Sequence, residues 1–128
     1  MKLLLDTHIA LWAISDSPEL SQAARRLITE PTNSIWVSAA TVWEIAIKHA
    51  KRPTDMPISG QQARTYFAAA GYLLLPISAE HAAAIDALPQ IHRDPFDRVL
   101  VAQTGCESMH LLTHDGELAG YGDAVLVV

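Results

Sequence analysis

The chain has 128 residues, half of them apolar and 18% charged, which suits one globular domain (1–128) with a buried core. No apolar run approaches the roughly 18 residues needed to cross a bilayer, and the apolar part of the opening MKLLLD is too short for a secretory leader, so no membrane association is expected. The single cysteine, Cys106, excludes an internal disulfide and is expected as a small buried helix residue in a reducing, cytoplasmic setting; the net charge of −5 neither requires nor forbids a nucleic-acid partner.

In chain order, residues 2–6 (KLLLD) read as a short buried strand and 8–14 as a brief helix capped by Asp6 or Thr7. Residues 20–29 place Leu20, Ala23, Ala24, Leu27 and Ile28 at helical spacing, and Pro31, Thr32 and Asn33 end that helix. The β-branched and aromatic run 34–38 predicts a strand, from which Ser38 caps a helix over 39–51. A loop over 53–60 precedes a helix over 61–70, a strand over 72–77 and an alanine-rich helix over 79–88. A second loop, 89–96, leads to a helix over 98–108 that Asp97 opens and would cap. The strand LLTHD, a glycine-rich turn with a possible helical turn in 116–120, and the strand AVLVV close the chain. Continuously apolar strands alternating with helices predict a parallel sheet covered on both faces.

Four carboxylates interrupt apolar runs: Asp6 after LLL, Glu44 inside TVWEIAI, Asp97 before RVLVA and Asp115 after LLTH. An unpaired buried charge costs several kcal/mol, so each needs a reason. Singly, Asp6 and Asp97 read as caps, Asp115 as a turn residue before Gly116, and Glu44 as the i,i+4 partner of Lys48 on a solvated face. Jointly they read differently, because ligands of such sheets bind beyond the carboxyl ends of the strands, and all four acids can reach that edge. Asp94 is a fifth acid beside them; setting these five aside leaves nine acidic residues against nine basic ones, so the net negative charge equals that of the cluster.

Carboxylates held together repel and keep raised pKa values until a cation joins them; oxygen ligands of this kind suit Mg²⁺ or Mn²⁺, one ion or two, and such sites serve phosphate chemistry. Thr7, Ser38 and Thr113 are hydroxyl residues that either orient water or phosphate at the pocket or merely cap. Most of the six histidines read as surface or core residues; His8, His92 and His114 fall beside the acids and are candidates for a role at the mouth of the pocket, and no zinc motif is present. Arg25, Arg26, Lys48, Lys51, Arg52, Arg93 and Arg98 are candidates for steering a polyanion, with Arg93 and Arg98 flanking the acids or simply pairing with Asp94 and Asp97.

The segments LLLDTHIALW, SAATVWEIAIK, HRDPFDRVLVAQT and LLTHD, in this order over residues 3–121, resemble the PIN-domain ribonucleases, specifically VapC-type toxins of toxin–antitoxin pairs. The resemblance implies a three-layer α/β/α fold around a mainly parallel sheet of about five strands. It further implies metal-dependent hydrolysis of RNA phosphodiesters, a homodimer, and a small antitoxin whose segment blocks the acidic pocket. Asp6 matches the acid ending strand one, Glu44 the acid in the helix after strand two, Asp97 the acid of D-x-x-I-A-x-T, and Asp115 the acid closing (V/L)-T-x-D. Two departures stand out: His8 occupies a position where asparagine is usual, and Asp94 competes with Asp97 as the nearer ligand, motif register favouring Asp97. Two rivals remain. A PIN fold without activity would act only as a binding module. A phospho-accepting receiver domain fits the length and the early aspartate, but Asp55 follows no apolar strand and no lysine occurs after Lys51.

Overall fold

The computed structural model describes residues 1–128. β1 (Lys2–Leu5) runs into α1 (Thr7–Ile14) through Asp6, which holds extended backbone and caps α1 by accepting from the His8 N–H. α2 (Gln22–Thr29), capped by Ser21, leads to β2 (Ser34–Ser38), and Ser38 caps α3 (Ala39–Lys51). α4 (Gly60–Ala69) opens with a reciprocal cap between Ser59 and Gln62. Then come β3 (Leu73–Leu75), α5 (Ala79–Ala84) with a 3-10 turn over Ile85–Ala87, α6 (Pro95–Glu107), β4 (His110–Thr113), a 3-10 turn over Gly116–Tyr121, and β5 (Val125–Val127).

All five strands pair in parallel in the order β3-β2-β1-β4-β5. The chain winds outward from β1 in one direction and then, through β4 and β5, in the other. The winding reverses between β1 and β4, which opens a crevice beyond their carboxyl ends.

Period-2 alternation splits the core between the two faces. Leu3, Leu5 and Leu112 pack with Ile9, Ala24, Ile45 and Phe67 on one side, under α1 to α4. Leu4 and Leu111 pack with Leu100, Val101 and Met109 on the other, under α6. Helices therefore cover both faces, as the apolar strands require. No helix is long and apolar enough to cross a membrane.

Several boundaries differ from expectation. α6 starts at Pro95 because proline suits the first helical position and Asp94, not Asp97, is its N-cap, accepting from the Phe96 N–H at 2.9 Å. β3 is half the expected length, since Pro76 has no N–H for the ladder. The helix expected over 79–88 tightens to a 3-10 turn at Ile85. Cys106 lies on α6 as expected but is only half-buried.

Candidate metal-binding site

Asp6 and Asp115 follow β1 and β4, the two strands that flank the crevice. Asp6 is buried, and both its oxygens are held: Oδ1 by the His8 N–H at 3.2 Å and Oδ2 by the Thr113 hydroxyl at 2.6 Å. The same Thr113 oxygen accepts from the Asp115 N–H at 3.0 Å, so one hydroxyl fixes both acids. Thr7 performs the matching task on the other side: its hydroxyl donates to Glu44 Oε1 at 2.7 Å, with Thr41 Oγ1 at 3.3 Å. Asp6 and Glu44 are thus linked through adjacent residues of one tight strand-to-helix turn.

Glu44 is buried although it sits mid-helix, and its Oε2 pairs with Lys48, one turn later. The i,i+4 pair expected from the sequence exists, but on an acid withdrawn from solvent rather than on a solvated face. Lys48 itself is half-exposed. Burial lowers its tendency to hold a proton, but the hydrogen bond to Glu44 and the charges of Glu44, Asp94 and Asp97 together outweigh that, leaving the ammonium pKa above its ordinary value.

Asp97 lies in the first turn of α6 and is the carboxylate least committed to other work: it makes no hydrogen bond, and its Oδ2 stands 3.7 Å from His92 Nδ1. Burial lifts its pKa, the charges of Asp6, Asp94 and Glu44 add to the lift, and His92 opposes it; the result is about 7. Burial is the larger cause, and the carboxylate repulsion that adds to it places Asp97 within electrostatic reach of Asp6, Asp94 and Glu44.

His92 ties the remaining acids together. Its Nδ1 accepts from the Asp94 N–H at 3.1 Å, which leaves Nε2 to donate to Asp115 Oδ2, also at 3.1 Å. Glu117 Oε2 lies 3.7 Å from the same nitrogen, so His92, Asp115 and Glu117 form the tightest grouping of metal-capable side chains in the chain. Sequence reasoning placed His92 only at the mouth of the pocket and missed Glu117; the signal was the H-R-D-P-F-D-R run, whose histidine folds back onto the acid of a distant strand end. Asp115 also caps the turn that follows it, its Oδ1 accepting from the Glu117 N–H.

The other expected residues divide. Ser38 is fully buried and its hydroxyl caps α3 by accepting from the Ala40 N–H, so it is a cap and contacts none of the acids. Arg98 is turned away, donating to Gln90 Oε1 and the Ile85 carbonyl, while Arg93 lines a cleft with Glu44, Lys48, Lys51 and Asp94. Neither arginine pairs with Asp94 or Asp97. Arg25 is tied to Asp16 and the Ser17 carbonyl, away from the site. A second cleft, lined by His8, Lys48, Lys51, Arg52 and Asp55, adjoins the first at Lys48. A third is formed by Asp6, His8, Trp12, His114 and Asp115.

This donor set is rich in carboxylate oxygen and carries surplus negative charge; it fits a divalent ion such as Mg²⁺ or Mn²⁺.

No curated protein matches the sequence. Three solved structures share the fold. VapBC2 from Rickettsia felis, bound to a DNA fragment from their promoter, aligns at TM-score 0.72 and 17% identity over 100% of this chain and 98% of that one. A toxin–antitoxin complex from Klebsiella pneumoniae aligns at TM-score 0.65 and 24% identity, covering 98% and 96%. VapBC-1 from nontypeable Haemophilus influenzae aligns at TM-score 0.62 and 14% identity, covering 99% and 98%. The family model of the PIN domain matches residues 3–123, nearly the whole length, and the chain belongs to the PIN domain family.

Proposed function

We propose that this chain is a VapC-type toxin, a metal-dependent endoribonuclease of the cytoplasm that works as one PIN domain and hydrolyses RNA phosphodiester bonds. The observation that supports the reading is that Asp6, Glu44 and Asp94 act electrostatically on Asp97, while Thr113 ties the Asp6 carboxylate to the Asp115 backbone and Thr7 holds Glu44. Asp6, Asp97 and Asp115 would hold the ion, with Glu44 and Asp94 at its margin. Asp97 is the better ligand of the α6 pair, because Asp94 is engaged as the helix cap and Asp97 is free. A bound divalent cation supplies charge to the scissile phosphate and makes a coordinated water more acidic.

The protein's own part is positional. Thr113 holds the Asp6 and Asp115 segments in register, Thr7 holds Glu44, and His92 braces Asp115 against the start of α6. Lys48, Lys51, Arg52 and Arg93 line the adjoining clefts and suit a phosphate backbone. RNA, rather than another phosphodiester, is what the resemblance of the sequence motifs to the PIN-domain ribonucleases implies.

The partners follow from the same comparison. An apolar groove lined by Leu11, Trp12, Ile14, Met56, Ile58 and Tyr66 shares His8 and Trp12 with the cleft of Asp6 and Asp115, and suits an antitoxin segment that runs on to cover the acids. On another flank the exposed Trp43 and Leu74 line one apolar groove beside the β3 edge, which suits a homodimer.

Asp6→Asn tests the reading. The variant should remain folded by circular dichroism, lose detectable Mn²⁺-dependent cleavage of RNA, and cease to arrest growth when expressed without an antitoxin. Full cleavage by a folded Asp6→Asn chain would exclude this pocket as the site of hydrolysis.

A further inference from the structure

Glu44 already has a cation. Its Oε1 accepts from Thr7 and its Oε2 from Lys48 Nζ, so both oxygens of the only pocket acid drawn from a helix interior are engaged within the chain. Lys48 stands where the two basic clefts meet, and one of those clefts is lined by Glu44, Arg93 and Asp94. An ammonium carries three N–H donors; one is given to Glu44, and no other acceptor engages the rest.

Two-metal phosphodiester sites set their ions roughly 4 Å apart and need carboxylates free to hold both. Here a second ion on the Glu44 side would have to displace Lys48. Charge argues the same way: one divalent ion together with Lys48 brings four carboxylates to within about one unit of neutrality.

We propose, building on the nuclease reading above, that Lys48 takes the place of a second metal ion: it withholds Glu44 from the ion's ligands and presents its remaining N–H donors to the phosphate, so that the pocket binds a single divalent cation. Glu44 is then a positioning residue that holds Lys48, and Lys48 is the group that touches substrate. Lysine does this as a compact point charge with rotatable donors.

Calorimetric titration of the full chain with MnCl₂ tests this. The unaltered protein should bind one equivalent. Lys48→Met and Lys48→Gln should each bind two, because Glu44 is released; Lys48→Arg, which keeps the charge, should return to one. Glu44→Gln combined with Lys48→Met should also bind one, since the second ion then has no anchor. Lys48 is half-exposed, so these chains should fold, with circular dichroism as the check. Two equivalents on the unaltered protein, or one on both Lys48→Met and Lys48→Gln, overturns the inference and leaves the nuclease reading in place. No Mn²⁺ uptake by the unaltered protein overturns both.

Discussion

At the scale of single residues the site is a set of acids with unequal duties. Asp94 and Asp115 are helix or turn caps, Asp6 is clasped by a hydroxyl and a backbone N–H, Glu44 is paired with Lys48, and Asp97 alone lacks a donor. Its pKa of about 7, against an ordinary 3.8, has a definite consequence for stability. Between those values the folded chain holds a proton that the unfolded chain has released, so this contribution is complete below about pH 4 and is lost as pH rises through 7. In EDTA, Asp97→Asn should therefore melt at a higher temperature than the unaltered protein at pH 8, with the gap narrowing steadily as pH falls toward 4. Equal melting temperatures at pH 8 would show that Asp97 carries no such strain. That Asp6, Glu44, Asp97 and Asp115 interrupt apolar runs was legible in the sequence because charge there is conspicuous. The hub role of His92 was not, since its partners Asp115 and Glu117 lie more than twenty residues away and nothing local marks the contact.

At the scale of elements, misjudged boundaries share a cause: a residue competent for two roles. Asp94 and Asp97 both suit a helix start, and the proline between them decides, by fitting the first turn that Asp94 caps. Asp94→Ala should cost about 1 kcal/mol of stability through loss of that cap, measured by urea unfolding. A tighter constraint lies between α3 and α4. A Cβ on Gly60 would stand 2.8 Å from the Ala46 Cβ and 3.2 Å from the Val42 carbonyl, so the glycine is what lets the two helices cross closely. Gly60→Ala should destabilise by about 1–3 kcal/mol, and a neutral result would mean that the crossing is slack. From sequence Gly60 read as the end of a loop; its role as a packing residue depends on Ala46, which no local pattern connects to it.

At the scale of the whole molecule, strand order does most of the work. Alternating helices and apolar strands announced a covered parallel sheet, but not where its winding reverses, and the reversal between β1 and β4 is what brings the Asp6 and Asp115 segments side by side. The apolar flank near β3 gives a further expectation: Trp43→Glu should shift the protein from dimer to monomer in sedimentation without altering Mn²⁺ binding, whereas a monomeric unaltered protein would remove the homodimer assignment. One consequence of the Asp6–Thr113–Asp115 clasp concerns synthesis. The hydroxyl that holds Asp6 and the acid it meets are synthesised 107 and 109 positions after it. A polypeptide halted before β4 consequently carries Asp6 with neither its clasp nor its neighbouring acid.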